Sequence, residues 1–236
     1  MTDTRSTQRV ALVTGSARGI GRAIVEALVA DGIAVIGVDI LDQEATGLLR
    51  TIRADLSQPS ECDRILAESG KVYILVNNAA VLIEQDIEEV TVADFDRILA
   101  VNLRAVFLLS QGVIVGMRES GWGRIINIAS IGARTGGFYK SSVYSAAKAG
   151  VVSLTKNFAR TQGRYGVTSN AVAPGGIDTE MAVKEPTVRQ SFISQIPLGR
   201  FAEPREVAAV VAFVAGEGSS WINGATIDVN GGMVIV

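Results

Sequence analysis

The stretch Thr14-Gly15-Ser16-Ala17-Arg18-Gly19-Ile20-Gly21 decides how this chain folds. It follows the apolar run 10–13 and leads into residues 20–30, whose apolar positions have helical spacing. Glycines at a strand-to-helix turn permit a sharp bend, and the free N–H groups of the helix N-terminus can bind a pyrophosphate. Alone, the stretch fits a tight connection without a ligand equally well. Its position after the first strand favours dinucleotide binding.

Outward from this turn, apolar runs alternate with helical patterns to the end of the chain. Thr91 and Asp94 form a capping-box pattern, which predicts that a long helix begins there. Apolar runs separated by helices are typical of a parallel sheet buried on both faces. We therefore predict one α/β domain over residues 1–236, a three-layer αβα Rossmann fold with a mainly parallel sheet of about seven strands. The predicted strands are 10–13, 33–38, 52–54, 72–76, 124–129, 167–172 and 226–229, and the predicted helices are 20–30, 59–68, 91–117, 143–165, 186–195 and 204–215.

The composition excludes several classes of site. The 236 residues include no histidine and a single cysteine, Cys62. This rules out Ser–His–Asp triads, His-ligated metals and cysteine-rich zinc clusters, so we predict no metal site. The 22 basic and 24 acidic residues give a net charge of −2, which does not favour a nucleic-acid partner. A polar N-terminal segment and the lack of an uninterrupted apolar stretch of roughly 18 residues predict a cytoplasmic protein without a membrane segment.

Asp39 ends the second predicted strand, where a nucleotide-binding fold carries an acid about 20 residues beyond its glycine-rich turn. A carboxylate there can accept hydrogen bonds from ribose hydroxyl groups. By itself it could equally be a solvated turn residue. Combined with the glycine-rich turn, it favours nucleotide binding.

Tyr144 and Lys148 lie four positions apart, so a helix places both side chains on one face. A free tyrosine has a pKa of about 10, and a neighbouring ammonium lowers that pKa because it stabilises the phenolate. Such a pair can act as general acid and base without histidine. The same spacing is common on exposed helices that have no chemical role, and in isolation we would favour that interpretation.

The whole chain resembles the short-chain dehydrogenase/reductase superfamily, and the combined order of the motifs is specific. The resemblance favours the chemical interpretation of Tyr144 and Lys148. Ala80 departs from the family pattern, in which glycine is more usual. The motifs are Thr-Gly-x₃-Gly-x-Gly at 14–21, Asp55-Leu56, Asn77-Asn78-Ala79-Ala80, Asn102, Ser130, Tyr144-x₃-Lys148 and Pro174-Gly175-x-Ile177-x-Thr179.

The resemblance implies four catalytic residues. Tyr144 would exchange a proton with the alcohol or ketone oxygen, and Ser130 would hydrogen-bond that oxygen. Lys148 would tune Tyr144 and hold the nicotinamide ribose. Asn102 would position a water in the proton relay, and its apolar neighbours in the sequence require a buried hydrogen-bond partner.

The resemblance also implies contacts with cofactor and substrate. The implied cofactor contacts are Gly15, Ser16, Arg18, Gly19, Ile20, Gly21, Asp39, Asp55, Leu56, Asn78, Ala79, Ala80, Tyr144, Lys148, Pro174, Gly175, Ile177 and Thr179. The implied substrate contacts are Ser130, Phe138, Tyr144, Gly176 and Met181.

The choice between NAD and NADP depends on two charges of opposite sign. Asp39 suits the ribose of NAD and would repel the 2′-phosphate of NADP. Arg18 favours NADP, because family members that use NADP often carry a basic residue there. We predict NAD, with NADP as the alternative, because Asp39 has the more direct contact with the ribose. The short interval from Asp39 to Asp55 leaves little room for a helix.

The segment between Thr179 and Pro204, together with Phe138 and Tyr139, predicts a mainly apolar substrate pocket. We therefore expect NAD-dependent hydride transfer with a small apolar or cyclic secondary alcohol or its ketone. The first alternative is a 3-oxoacyl-(acyl carrier protein) reductase that uses NADPH, which residues 228–236 and the chain length resemble. The second is a non-catalytic dinucleotide sensor, although both Tyr144 and Lys148 are present. The apolar residues of the segment are Met181, Val183, Phe192, Ile193 and Ile196.

Related proteins pair the helices 91–117 and 143–165 across a subunit interface. The resemblance therefore implies a homotetramer or a homodimer. The apolar residues compatible with that interface are Val106, Phe107, Val151, Val152 and Leu154.

Overall fold

A computed structural model of the chain describes residues 9–44 and 47–236, and its seven strands form a parallel sheet in the order β3-β2-β1-β4-β5-β6-β7. This confirms the predicted α/β fold, and each observed strand overlaps a predicted one. Asp39 is the last residue of its strand, as predicted. The strands are β1 (Val10–Thr14), β2 (Ala34–Asp39), β3 (Arg50–Arg53), β4 (Ile74–Asn77), β5 (Gly123–Ile128), β6 (Val167–Pro174) and β7 (Thr226–Val229).

Helices cover both faces of the sheet. Residues 40–44 and 47–49, between β2 and β3, contain no helix, as the short interval predicted. The helices are α1 (Gly19–Ala30), α2 (Pro59–Ser69), α3 (Val92–Leu99), α4 (Ala105–Glu119), α5 (Gly132–Thr135), α6 (Ser142–Gln162), α7 (Pro186–Ser194) and α8 (Pro204–Ala215). Short 3₁₀ turns lie at Ile87–Glu89, Gly163–Tyr165 and Glu217–Ser219, and one turn of π-helix, Ala100–Arg104, joins α3 to α4.

The core has two layers because successive strand residues point to opposite faces of the sheet. Leu12 of β1 belongs to the layer shared with α2, α4 and α6. Its neighbours Ala11 and Val13 belong to the layer shared with α1 and α8. All three are fully buried, which explains why this strand is continuously apolar in sequence.

The long helical stretch Val92–Glu119 begins at the predicted cap, where the Asp94 N–H donates to the Thr91 hydroxyl at 3.1 Å. By length and composition alone this stretch could cross a membrane, although it has no uninterrupted apolar run of roughly 18 residues. Half of its most apolar window is buried in the fold, and Leu109 and Met117 pack in the core. This degree of burial is typical of a core helix.

The strand order reverses direction between β1 and β4, which pair in parallel. Thr14 joins their carboxyl ends, because its hydroxyl accepts the N–H groups of Asn78 and Ala79, each at 3.0 Å. In open α/β sheets the crevice at such a point binds ligands. The fold therefore opens a cleft beside the glycine-rich turn.

Candidate active site

Three of the predicted catalytic side chains meet at the carboxyl edge of the sheet. Tyr144 and Lys148 lie on α6, and Ser130 lies in the turn after β5. The Ser130 hydroxyl hydrogen-bonds to Tyr144 and also accepts the Gly132 N–H at 3.0 Å. The Lys148 ammonium donates to the Ile128 carbonyl at 2.7 Å and lies 5.6 Å from the centre of the Tyr144 ring.

Burial sets the protonation of this pair. It raises the pKa of Tyr144 to about 12, although the Ser130 hydrogen bond acts to lower it. Burial also lowers the pKa of Lys148 to about 8, because an ammonium loses hydration there. Lys148 is not among the causes that set the Tyr144 pKa in this structure, and the shift is opposite to the expected lowering. At neutral pH the phenol keeps its proton and can donate it to a ketone oxygen.

Asn102 lies in the π-helical turn and is fully buried. Its side chain accepts the Val81 N–H and donates to the Val81 carbonyl, both at 2.8 Å. This supplies the buried partner that the sequence required. Asn102 thereby joins the α3–α4 helical stretch to the loop after β4, at the edge of the cleft.

We expect Asn102→Ala to lower the free energy of unfolding by about 2 to 4 kcal/mol, because the N–H and C=O of the half-buried Val81 would lose their partners and a buried side chain would be truncated. Urea denaturation measures the change. Asn157→Ala, on the exposed face of α6, is the matched control and should stay close to wild type. Equal stability of Asn102→Ala and wild type would contradict this account.

The glycine-rich turn is shaped by its neighbours. Gly15 has a φ of +67°, and a Cβ there would lie 2.8 Å from Ala79 Cα. A Cβ on Gly21 would lie 1.9 Å from the Gly15 carbonyl oxygen. The Asn78 amide donates to the carbonyls of Thr14 and Gly15, at 2.9 and 3.0 Å. These contacts require glycine at both positions and keep the turn tight against the sheet.

The N-terminus of α1 suits an anion. Arg18 precedes the helix, makes no side-chain capping bond and is exposed, and the first turn has no acidic residue. The positive end of the helix dipole therefore lies at this turn without a capping bond from Arg18, and the Glu180 carboxylate is close by, 3.7 Å from where a Cβ on Gly19 would lie. Gly19 lies beside Thr179, so both sides of the turn border the same cleft. This geometry fits the pyrophosphate of a dinucleotide.

Asp39 lies on the side of the cleft where adenosine is expected. Its two carboxylate oxygens accept the N–H groups of Ala17, at 2.9 Å, and Leu41, at 3.0 Å. An ionised carboxylate has about four acceptor sites, so each oxygen keeps capacity for a hydroxyl. Ser16, the neighbour of Ala17, is buried and donates to Gln43 at 2.8 Å.

The other predicted cofactor positions lie at strand ends or in the adjoining loops. The Asp55 carboxylate accepts the Ser57 N–H, and Leu56 is buried in the core. Ala80 is half-buried in the loop after β4, beside Val81. Pro174, Gly175, Ile177 and Thr179 line the cavity described next, together with Ile20.

The substrate cavity, as we call the hollow between Tyr144 and the α7 segment, encloses about 200 Å³. All five predicted substrate contacts line it. Of the apolar residues predicted after Thr179, Met181, Val183 and Phe192 line the cavity, whereas Ile193 does not and Ile196 is buried elsewhere. A Cβ on Gly176 would lie 2.7 Å from the Phe201 ring, so glycine there lets the aromatic wall close.

Sequence reasoning missed two features. Leu82, Glu84 and Phe201 also line the cavity. The first two lie close in sequence to Asn78-Ala79, and Phe201 lies in the segment between Thr179 and Pro204, which are the signals that could have suggested them. A buried amide network joins β4 to β5, because Asn77 donates to Asn127 at 2.8 Å. Within the described residues 9–44 and 47–236, no group of three or more His, Cys, Asp or Glu side chains could hold a metal ion.

Comparisons with known proteins agree with this geometry. A family model described as "Enoyl-(Acyl carrier protein) reductase" matches residues 15–234. The 3-oxoacyl-[acyl-carrier-protein] reductase FabG of Salmonella typhimurium is 39% identical over 240 residues, covering 97% of this chain and 98% of that protein.

Solved structures agree as well. A putative NAD(P)-dependent gluconate 5-dehydrogenase from Beutenbergia cavernae, solved with bound NADP, has a TM-score of 0.88 and 30% identity, covering 95% of this chain and 96% of that one. A short-chain dehydrogenase/reductase mutant from Serratia marcescens has a TM-score of 0.89 and 35% identity, covering 95% and 97%. With this sheet order, glycine-rich turn and full-length similarity, the chain belongs to the short-chain dehydrogenase/reductase family and is an NAD(P)-dependent oxidoreductase of alcohol and carbonyl groups.

Proposed function

We propose that the protein transfers hydride between NAD(H) and a secondary alcohol or ketone that is small and apolar or cyclic. The observation that carries this proposal is the substrate cavity, whose wall holds the hydrogen-bonded Ser130–Tyr144 pair among mainly apolar side chains. The cofactor, when bound, supplies the hydride donor or acceptor.

In this proposal the chain manages the proton and the developing charge. Tyr144 Oη gives a proton to the ketone oxygen or takes one from the alcohol. Ser130 donates a hydrogen bond to the same oxygen. Lys148 holds the nicotinamide ribose and provides a positive charge beside Tyr144, while Asn102 positions a water of the proton relay.

The preference for NAD is supported by Asp39. Its carboxylate is held by two backbone amides and keeps acceptor capacity for ribose hydroxyls, whereas a 2′-phosphate would meet like charge. The guanidinium of the nearby Arg53 forms an ion pair with the Asp42 carboxylate at 3.1 Å. The cation that supports the NADP alternative is therefore Arg18. The Beutenbergia cavernae structure contains NADP, which keeps that alternative open.

We expect Asp39→Asn to shift the ratio of kcat/KM for NAD to that for NADP by about tenfold or more toward NADP, because the repelling charge is lost. Steady-state kinetics with both coenzymes measure the ratio. Asp31→Asn makes the same change at the far end of α1 and should leave the ratio unaltered. A wild-type preference for NADP would overturn the assignment of NAD.

A second candidate function is reduction of 3-oxoacyl thioesters on acyl carrier protein with NADPH. The similarity to the Salmonella typhimurium reductase favours it. Such an enzyme needs basic surface for an acidic carrier, and Arg164 is exposed. Arg134, however, is engaged by Asp228 through two hydrogen bonds of 3.0 and 3.1 Å.

One assay separates the candidates. Absorbance of the reduced nicotinamide is followed with cyclic secondary alcohols plus NAD, and with an acetoacetyl thioester plus NADPH. Our proposal predicts turnover of the alcohols. Turnover of the thioester alone would establish the second candidate, and coenzyme binding without turnover of either substrate would favour a dinucleotide sensor.

We further propose a cytoplasmic homodimer or homotetramer. The free and buried Cys62 and the need for an intracellular coenzyme support the location. Phe107 is 40% exposed on α4, which supports a helix-mediated interface, whereas Val106 and Val151 are buried in the monomer. Val152 and Leu154 are half-buried. Light scattering of the purified protein tests the assembly.

A further inference from the structure

The substrate cavity contains a single fixed charge. Among the described residues that line it, Glu84 is the only one with a carboxylate or a cationic group. Its side chain is exposed at the rim, and no hydrogen bond or ion pair joins it to another residue in the described part of the chain. An uncompensated carboxylate beside apolar side chains attracts a cationic ligand and repels an anionic one, and the interaction strengthens where the bound ligand displaces water from the rim.

Two charged side chains near the cavity are paired with an opposite charge. Lys140 lies beside the loop that carries Glu84, and its ammonium lies 2.6 Å from the Asp86 carboxylate. Asp178 pairs with Arg189 at 3.1 Å. Within the described lining of the cavity, the charge that a ligand meets is therefore the negative charge of Glu84, whereas the exposed Lys184 and Glu180 lie outside that lining.

The loop that carries Glu84 is held in place. The next residue, Gln85, donates its N–H to the Lys140 carbonyl at 3.1 Å, and its side chain donates to Asp94 at 3.0 Å. The Asp86–Lys140 ion pair adds a third contact. Lys140 has a φ of +38°, a left-handed conformation that these contacts support. Glu84 is therefore kept at the rim.

Two phenylalanine rings line the same cavity as this carboxylate. Phe138 and Phe192 meet edge to face with centroids 6.1 Å apart. Aromatic faces attract cations through their quadrupole, and a carboxylate adds direct attraction. This combination matches an alkylammonium or quaternary ammonium group and opposes a carboxylate or a phosphate.

We infer that Glu84 is a specificity-determining residue, and that the enzyme prefers alcohols or ketones that carry a cationic nitrogen group over anionic ones. The inference rests on the proposed function, since it assumes that the alcohol or ketone occupies this cavity. It also disfavours acyl chains attached to anionic carriers.

The test uses three ketones of similar size, para-trimethylammonio-acetophenone, para-tert-butylacetophenone and para-carboxyacetophenone. Calorimetric Kd values in the presence of NAD and kcat/KM values for reduction with NADH are measured for each. We expect the cation to bind about tenfold or more tightly than its neutral isostere, and the anion to bind more weakly. In Glu84→Gln the ratio of cation to neutral affinity should collapse toward one.

Two further variants sharpen the result. Glu88→Gln removes an exposed carboxylate of the same loop outside the cavity and should keep the wild-type ratios. Asp86→Asn releases the charge of Lys140 at the rim and should weaken the cation preference. Equal affinities for the three ketones in wild type, or unchanged ratios in Glu84→Gln, would overturn the inference. If the three ketones bind with the expected order of affinities (cation, then neutral, then anion) but none is reduced, the proposed function alone would be refuted.

Discussion

Tyr144→Phe is expected to lower kcat for alcohol oxidation and ketone reduction by about a hundredfold to ten-thousandfold, the range that a positioned general acid–base contributes. The substitution removes the phenolic oxygen and keeps the ring, so packing on α6 and the affinity for the coenzyme should change little. Steady-state kinetics measure kcat, and titration of the coenzyme fluorescence measures Kd.

Tyr139→Phe is the matched control for this prediction, because Tyr139 lines the same cavity and loses the same atom. Its kcat should stay within a few-fold of wild type. Undiminished turnover by Tyr144→Phe would remove this residue from the mechanism, and a comparable loss in Tyr139→Phe would show that the cavity tolerates no change.

Lys148→Met should abolish most of the turnover while making the protein more stable at pH 7. Burial lowers the pKa of Lys148 from 10.5 to about 8, which corresponds to about 3 kcal/mol of unfavourable burial of the charged form. The variant also loses the hydrogen bond to the Ile128 carbonyl, and this loss lowers its stability by about 1 kcal/mol. We therefore expect a net gain on the order of 2 kcal/mol in the free energy of unfolding.

The sign of the pH dependence follows from the lowered pKa. Between about pH 8 and 10.5 the folded state releases the Lys148 proton while the unfolded state keeps it, so wild-type stability should rise with pH in this window. Lys148→Met should lack this contribution. Lys156→Met, an exposed lysine on the same helix, is the control, and thermal unfolding at pH 7 and pH 10 is the measurement. A lower melting temperature of Lys148→Met at pH 7 would contradict the account.

Local patterns predicted the sheet because each strand carries its own signal. In β1, Ala11, Leu12 and Val13 are all apolar because both faces are covered, and this continuous run marks a strand of a parallel sheet. The Thr91 cap depends on atoms within one turn of the chain and was predicted for the same reason. The π-helical turn was not predicted, because no local pattern in the sequence marks it; its Asn102 accepts the N–H of Val81, 21 positions earlier in the chain.

The candidate site was predictable where spacing fixed the geometry, as with Tyr144 and Lys148 on one helical face. Their pKa values were not, because burial depends on the whole fold and here raises the pKa of Tyr144. Phe192 and Ile196 look alike in sequence, yet only Phe192 lines the cavity. Glu84 carries no motif and gains its meaning only from the apolar residues around it.

A crystal structure with NAD and a secondary alcohol bound would test the central claim most directly. The account predicts that the alcohol oxygen lies within hydrogen-bond distance of both Tyr144 Oη and Ser130 Oγ, inside the substrate cavity. An alcohol bound elsewhere, or an oxygen that contacts neither side chain, would contradict it.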